Sequence, residues 1–393
     1  MPRASALSSA LRPGVFAELE RAIAERRAKG GDLVPLHIGD THRAPPRAAR
    51  FEEALRGRGD AALYAYGATA GMQELREAIA AEADRLGRAT PGAGEASVLV
   101  GVGATHALSC AARAILDPGD DVLLAAPYWP LAHGVIVGAG ARPIEVPLTT
   151  RLAADPSLDA GALLESAATE RTRAVYLITP NNPDGKVLTR ADLEAVARFA
   201  IARDLWVIAD EVYADYTYEG RPHVSIARLP GMAGRTLTAS SFSKSHALAG
   251  ARVGAVIAPP EIVAAARRVS VHTAFNVPVL GQLAALAALG DRDWVEEARA
   301  SYVAARDLAG SALAAAGVRA QPAEGGVYFF CDLSDRAEGS ITPVLERVIE
   351  LGVLLAPGAA FGADYARWAR LCFTSVDRDA LERGLERLVR ALR

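Results

Sequence analysis

The sequence predicts an α/β protein with a large domain, built on a mostly parallel sheet between helices, and a smaller α+β domain. Short apolar runs interleave with helical stretches over most of the chain, which is typical of βα units on a buried parallel sheet. The sequence pattern changes after about residue 276, where two long Ala-rich helical stretches begin. A length of 393 residues allows two to three domains.

Periodicity locates the individual elements. The spacing of apolar residues predicts helices over 14–29, 71–86, 104–116 and 191–203. Short apolar runs predict strands over 97–102, 121–126, 142–146, 174–178, 205–209, 236–239 and 252–258. Further along come helices over 278–289, 293–316 and 378–392, with strands over 326–333, 353–356 and 369–374. We expect an N-terminal segment (1–45) packing with the small domain, a large domain (46–275) and a C-terminal small domain (276–393).

Composition excludes several classes of protein. The formal charge is −3, whereas nucleic-acid binders normally carry a basic excess. There is no run of about 18 uncharged apolar residues that would span a membrane, and the first residues lack the apolar region of a secretory signal. The three cysteines are widely spaced, and no HExxH or similar spacing predicts a metal site. We therefore expect a cytoplasmic protein without metal, membrane or nucleic-acid partners.

Ligands of open α/β sheets bind beyond the carboxyl ends of the strands, so the loops there carry the functional prediction. The loop 101–105 is Gly-rich and opens a helix, which favours a phosphate at the helix N-terminus. A plain strand–helix turn is the simple alternative. A dinucleotide site needs a third glycine where this chain has His106, which disfavours a nicotinamide cofactor.

Three further loops carry polar or ionisable side chains of the kinds that bind ligands or transfer protons. The first contains Asn182 among turn-forming residues, and the second ends a strand with Asp210 and is followed by Tyr213. In the third, serines surround Lys244, and Arg252 follows eight positions later. Only three of the 43 basic residues are lysines, and a lysine, unlike an arginine, can lose its proton and act as a nucleophile. Turn formation, helix capping and a solvated surface lysine remain the alternative interpretations.

Pyridoxal phosphate would use all four loops at once, because it has a phosphate, a carbonyl and a basic ring nitrogen. Lys244 would form the Schiff base. Asp210 would keep the ring nitrogen protonated, so that the ring accepts electrons, while Tyr213 and Asn182 would hydrogen-bond the ring oxygen.

The chain resembles the class I/II aminotransferases, which are fold-type I pyridoxal-phosphate-dependent enzymes. The resemblance covers nearly the whole length. The motifs that carry it are Ser241-Phe242-Ser243-Lys244 with Arg252, Asn182-Pro183-Asp184-Gly185, Asp210-Glu211-Val212-Tyr213, Tyr66-Gly67-Ala68-Thr69-Ala70-Gly71, Asp117-Pro118-Gly119-Asp120 and Pro127-Tyr128-Trp129.

The resemblance implies a role for each matching residue. It implies that Lys244, Asp210 and Tyr213 are the catalytic residues. Trp129 matches the aromatic residue that stacks on the cofactor ring, and the phosphate cup matches Gly103, Ala104, Thr105, Ser241 and Arg252. Ser243 is a further cofactor-binding residue that the resemblance implies. Arg370 matches the arginine that binds the substrate α-carboxylate, with Gly39, Asn182 and Trp129 close by. Tyr66 matches a residue that reaches the phosphate of the neighbouring subunit, which implies a homodimer with shared active sites.

Two departures from the family pattern concern the substrate. The loop after Gly39 has an unusual sequence over residues 40–46. Position 105 is Thr where some aspartate-type relatives carry a lysine for a second carboxylate, which disfavours a dicarboxylic amino donor. Arg43 or His42 is the candidate for a replacement charge.

The expected function is therefore amino transfer between an L-amino acid and a 2-oxo acid, with ping-pong kinetics. A pyridoxal-phosphate-dependent lyase or synthase of amino-acid or secondary metabolism is the main alternative, because one fold hosts several reactions. Two less favoured hypotheses are a nicotinamide-dependent dehydrogenase and a sensing module without activity.

Overall fold

The computed structural model describes residues 3–56 and 61–393. Its α-helices, numbered α1 to α16 in chain order, are Ala6–Ala10, Glu20–Ala28, Phe51–Ala54, Ala61–Tyr64, Gln73–Arg85, Gly103–Ile115, Pro130–Gly138, Thr149–Ala154, Ala160–Glu165, Arg190–Ala202, Phe242–Ser245, Pro260–Val271, Val279–Ala288, Arg292–Ala315, Thr342–Glu350 and Arg378–Leu392. Its strands, β1 to β13, are Val34–Pro35, Val98–Val102, Asp121–Ala126, Arg142–Pro147, Thr172–Ile178, Trp206–Asp210, Thr236–Ser241, Val253–Ile257, Arg319–Ala320, Tyr328–Asp332, Val353–Leu354, Ala356–Pro357 and Trp368–Cys372.

A seven-stranded sheet forms the centre of the larger part of the molecule, with the strand order β2-β8-β7-β6-β5-β3-β4. Strands β3 to β7 run parallel to one another, and only β8 is antiparallel to its two neighbours. Every residue of β3, β6 after Trp206, and β8 is buried, which explains why these strands read as continuous apolar runs. The predicted α/β fold with a mostly parallel sheet is therefore confirmed.

The C-terminal part is built differently. Strands β12, β13, β10 and β9 form an antiparallel sheet in that order, and α14, α15 and α16 pack beside it. The short strand β1 pairs in parallel with β11, so the chain near Val34 lies against the C-terminal part. The extent of the two predicted domains stays a prediction; the first residues of the predicted N-terminal segment, Met1 and Pro2, and residues 57–60 lie outside the described ranges.

Two predicted elements differ from the structure. The helix expected over 14–29 begins only at Glu20, after a 3₁₀ turn, because Phe16 turns aside to pack edge-on against His37 with ring centroids 4.6 Å apart. The strand expected over 353–356 is divided into β11 and β12, since Val353 pairs with β1 whereas Ala356 pairs with β13. Both differences come from pairing with distant parts of the chain.

This topology brings the carboxyl ends of β5, β6 and β7 to one edge of the central sheet. The N-terminus of α6 lies at the same edge, since Gly103 donates its amide hydrogen to the carbonyl of Arg252, which precedes β8. Within residues 3–56 and 61–393, no helix has both the length and the apolar character that crossing a bilayer requires.

Candidate active site

A cavity of about 150 Å³ opens at the carboxyl edge of the central sheet. We call it the front cavity. Most of the residues predicted from the sequence to bind the cofactor line it, and its lining consists of Ala104, Thr105, Leu108, Trp129, Ile178, Asn182, Asp210, Val212, Tyr213, Ser241, Ser243, Lys244, Ala249 and Arg252.

The acid of the front cavity is Asp210, the last residue of β6, which is 4% exposed. The Tyr176 hydroxyl donates to its Oδ2 at 3.2 Å, and the Val212 amide donates to its Oδ1 at 3.3 Å. Burial nevertheless raises the pKa of the Asp210 carboxyl to about 6. A carboxylate held in this state is stabilised by a cation placed in the cavity, such as a protonated ring nitrogen.

The amine of the front cavity is Lys244. It lies in the short helix α11, whose N-cap Ser241 accepts a hydrogen bond from the Ser243 amide at 3.2 Å. The Lys244 Nζ donates to the carbonyl oxygen of Gly39. Burial lowers the pKa of Lys244, which increases the fraction of neutral, nucleophilic amine at a given pH.

The N-terminus of α6 forms the anion-binding side of the cavity. Its first turn presents the amides of Ala104 and Thr105, and free amides at a helix N-terminus attract phosphate. Gly103 has φ of +73°, and a Cβ there would lie 2.4 Å from Nη2 of Arg252. Glycine therefore allows the arginine to approach the helix end, so that a guanidinium and backbone amides face one space.

Arg370 lies beside the front cavity, in β13, and is 7% exposed. Its Nη1 donates to Oδ1 of Asn182 at 2.9 Å, and its Nη2 donates to the carbonyl of His37 at 2.7 Å. The guanidinium lies between two aromatic rings, 4.4 Å from the centroid of Tyr328 and 4.9 Å from that of Phe361. The buried Nε has no hydrogen-bond partner within the described residues, so this rigidly held guanidinium keeps a donor for a carboxylate.

Two phenols meet next to the lysine. The hydroxyl groups of Tyr213 and Tyr328 are 2.6 Å apart. Burial raises the pKa of Tyr213 well above its usual range and that of Tyr328 to about 12, so both stay protonated at neutral pH. A Cβ on Gly39 would lie 1.9 Å from the Tyr328 hydroxyl, which explains why this position, whose carbonyl meets Lys244, has no side chain.

Three residues singled out in the sequence lie elsewhere. Tyr66 is 86% exposed and packs edge-on against Phe275, with ring centroids 5.0 Å apart. Arg43 lies over the ring of Trp294 at 5.4 Å and 3.6 Å from a carboxylate oxygen of Glu297. His42 Nδ1 is 3.2 Å from the carbonyl oxygen of Thr374. Neither His42 nor Arg43 lines the front cavity, so the structure gives no support to a replacement charge from this loop.

Several residues of this region were not identified from the sequence: Tyr176, His37, Tyr328 and Phe361. Tyr176 is one of five consecutive buried residues of β5 and has no distinctive neighbours in the sequence. Tyr328 and Phe361 are aromatic residues of apolar runs, and such residues usually fill a core. No local signal distinguishes them, because their role comes from packing against Arg370.

The model of the family described as aminotransferase class I and II matches residues 32–388. The chain belongs to this family. The aspartate/prephenate aminotransferase of Thermus thermophilus is 33% identical over 98% of this chain and 97% of its own length. Aromatic-amino-acid aminotransferase 2 of Thermococcus litoralis is 32% identical over 92% of both chains.

The fold of this aminotransferase is similar to that of solved family members. A double mutant of the Thermus thermophilus aspartate aminotransferase superposes with a TM-score of 0.91, at 31% identity and over all of both chains. Fold-type I architecture and transfer of an amino group are therefore the fold and the activity of this enzyme. The dehydrogenase and sensing-module hypotheses no longer stand.

Proposed function

We propose that the aminotransferase uses pyridoxal phosphate joined covalently to Lys244 and moves an amino group between an L-amino acid and a 2-oxo acid. The observation that carries the proposal is that Lys244 and Asp210 face the same front cavity with the N-terminus of α6 and Arg252. An amine, an acid and an anion cradle are the three partners that this cofactor's carbonyl, ring nitrogen and phosphate require.

The residues around the cavity fit the cofactor. The Cβ that Gly103 lacks would occupy the space next to Arg252, which agrees with an open phosphate cup formed by Gly103, Ala104, Thr105, Ser241, Ser243 and Arg252. Burial has shifted the pKa of Asp210 upward and that of Lys244 downward, as expected for groups that await a charged or covalent partner. When bound, pyridoxal phosphate supplies an aldehyde that condenses with amines and a ring that withdraws electrons from the substrate α-carbon.

The protein residues then hold and move protons. Asp210 would keep a proton on the ring nitrogen, the Tyr213 hydroxyl and the amide nitrogen of Asn182 would donate toward the ring oxygen, and Trp129 would offer its ring as a stacking surface; all four residues line the front cavity. The Asn182 oxygen is already occupied by Arg370, which leaves its amide nitrogen for that role. The Nζ of Lys244, when free, would take the proton from the substrate α-carbon and return it during product formation.

The substrate carboxylate binds at Arg370, next to Gly39. Nη1 and Nη2 are anchored on Asn182 and His37, and Nε is buried without a partner among the described residues. Tyr328 and Phe361 hold the planar group from both faces, so its orientation is fixed before the substrate arrives. A carboxylate bound at this guanidinium would fix the position of the α-carbon of any α-amino acid relative to the protein.

The active form that we propose is a homodimer with shared active sites. Tyr64 and Tyr66 are 88% and 86% exposed, and Phe275 beside Tyr66 is 44% exposed. Adjacent exposed aromatic residues are typical of a surface that a partner covers. In the dimer, Tyr66 reaches the cofactor phosphate of the neighbouring copy. Sedimentation of the purified protein tests this, since Tyr66→Glu is expected to weaken both the dimer and the cofactor affinity.

A cytoplasmic location is the last part of the proposal. Cys110, Cys331 and Cys372 are buried and unpaired. Proteins of reducing compartments keep their thiols in this state. Cell fractionation with an antibody against the chain tests the location.

The experiment that tests the function uses the purified, cofactor-loaded enzyme and a panel of single amino acids without an oxo acid. We expect a subset of them to shift the cofactor absorption out of the visible range, with release of one equivalent of 2-oxo acid and no ammonia. Adding a second oxo acid restores the original spectrum, as ping-pong kinetics requires. Continuous release of ammonia would instead identify a lyase.

A further inference from the structure

A second cavity lies behind the strand ends that carry Asp210. We call it the rear cavity. Its volume is about 80 Å³, and its charged lining residues are Glu82, Arg88, Glu211, Asp215, His246 and Arg292. Asp210, the last residue of β6, lines the front cavity, whereas Glu211, the residue directly after it, lines the rear one.

Glu211 forms a buried pair with His223. The Oε2 of Glu211 is 2.9 Å from Nε2 of His223, and the two side chains are 2% and 6% exposed. The remaining polar atoms, Oε1 of Glu211 and Nδ1 of His223, are buried without a hydrogen-bond partner within the described residues. Leaving such buried atoms unsatisfied lowers the stability of the fold. A pair that served stability alone would be expected to satisfy them.

The other charges of the rear cavity are balanced among themselves. Asp215 accepts from Arg88 at 2.9 Å and from Arg292 at 2.7 Å, and Arg292 also lies 3.8 Å from Glu82. Burial lowers the pKa of His246 to about 4, so this imidazole is neutral at neutral pH. Among the described residues, His223 is therefore the group that directly pairs with Glu211.

The charge on Glu211 acts on Asp210. Burial is the main cause that raises the pKa of Asp210, and the neighbouring carboxylate of Glu211 raises it further. The imidazole of His223, 2.9 Å from Oε2 of Glu211, is the group that can offset this repulsion. Without His223, an unpaired carboxylate would lie beside the acid that holds the cofactor ring.

We propose that Glu211 and His223 are a buried positioning pair that determines how firmly Asp210 holds the protonated ring nitrogen. This inference rests on the proposed function, because it concerns the same cofactor. Glu211 and His223 do not line the front cavity, so their effect on the cofactor would pass through Asp210.

The test compares His223→Gln, Glu211→Gln and the double variant in two measurements. One is the dissociation constant of pyridoxal phosphate, measured on the cofactor-free protein. The other is the nitrogen chemical shift of bound cofactor labelled with ¹⁵N in its ring, which reports ring protonation. His223→Gln should weaken binding about tenfold, as for one pKa unit on Asp210, and move the shift toward neutral nitrogen.

Glu211→Gln is expected to strengthen cofactor binding and to move the chemical shift toward protonated nitrogen. It removes the charge that repels the Asp210 carboxylate and keeps a polar contact to His223. The double variant should return both readings to within about twofold of the parent, since no buried charge remains unpaired. The matched control is Arg142→Gln, which takes the bidentate partner from the buried Asp121 at the other end of the sheet strands. It should lower stability and leave both readings unchanged.

The proposal is overturned if His223→Gln destabilises the fold but leaves both readings unchanged, or if the double variant is as impaired as His223→Gln. Should His223→Gln fail to fold, Glu211→Gln decides: an unmoved ring-nitrogen shift overturns the proposal. Failure of the proposed function looks different, because the parent protein itself would then bind no pyridoxal phosphate.

Discussion

Asp210 and Asp215 lie five residues apart on opposite sides of one strand end, and their carboxyl groups are held in opposite ways. In the front cavity, burial dominates and raises the pKa of Asp210. In the rear cavity, burial acts in the same direction on Asp215, but the guanidinium groups of Arg88 and Arg292 outweigh it and lower the pKa. The ionised carboxylate of Asp210 therefore destabilises the ligand-free fold, whereas the ionised carboxylate of Asp215 stabilises it.

The difference shows which groups of the molecule are left for a ligand to stabilise. Groups in and beside the front cavity lack partners, as the Nε of Arg370 does, or have pKa values shifted by burial, as Asp210 and Lys244 have. Such groups cost stability and gain it back when cofactor and substrate bind. Four substitutions test the contrast, in order of decreasing expected effect.

Arg370→Gln should lower kcat/KM about 100-fold or more, because truncating a buried charged partner costs about 2–5 kcal/mol. The loss is expected for every amino acid tested, since we propose that Arg370 binds the α-carboxylate that all of them share. Steady-state kinetics measure it. Arg367→Gln, which removes an exposed arginine of the same segment, is the control and should have no effect. A loss confined to one amino acid would contradict the assignment to the α-carboxylate.

Asp215→Asn should destabilise the cofactor-free protein by about 3 kcal/mol, because it leaves Arg88 and Arg292 without their buried counter-charge. Urea unfolding at pH 7 measures it. A lowered carboxyl pKa stabilises the fold above the unfolded value, and this contribution is lost as the pH falls through the folded value. The difference between the two proteins should therefore shrink in acid. An unchanged free energy of unfolding at pH 7 would contradict the account.

Asp210→Asn should change the free energy of unfolding in the opposite direction to Asp215→Asn. It should stabilise the cofactor-free protein at pH 7 by about 2–3 kcal/mol. The folded pKa of about 6 exceeds the unfolded value of 3.8, so ionisation penalises the native state above pH 6 and the penalty disappears below pH 4. The same unfolding experiment measures it at pH 7 and at pH 4. Loss of stability at pH 7 would show that Asp210 is not held in a strained state.

Gly103→Ala should cost about 1–2 kcal/mol from its left-handed backbone and, in addition, weaken the cofactor about tenfold by displacing Arg252. Gly119→Ala is the matched control, because Gly119 has φ of +94° and open space around its missing Cβ. Both variants should lose stability, but only Gly103→Ala should lose affinity for pyridoxal phosphate. Equal affinities in the two variants would remove Gly103 from the phosphate cup.

The residues at the sheet edge were predictable from the sequence for a physical reason. Parallel strands end at a common edge, so Asp210 after one apolar run and Lys244 after the next had to lie close together. Short-range motifs marked each loop, and the sheet brought the loops into one cavity. The α/β fold followed from the same alternation of strands and helices.

The substrate side was less predictable, because it depends on contacts between distant parts of the chain. Arg370 bonds to Asn182, 188 positions away, and is held by Tyr328 and Phe361, which look like ordinary core residues in the sequence. Arg43 is a similar case, since its contact with Trp294 has no sequence signal. The start of α2 at Glu20, later than the sequence predicts, likewise followed from the contact of Phe16 with His37.

The covalent link to Lys244 is the central claim, and one measurement tests it most directly. The purified enzyme is loaded with pyridoxal phosphate, reduced with borohydride and digested, and the peptides are sequenced by mass spectrometry. The chain offers only three lysines, Lys29, Lys186 and Lys244, so the assignment has few competitors. We expect the reduced cofactor on Lys244 alone; a label on Lys29 or Lys186 with Lys244 unmodified would contradict the account.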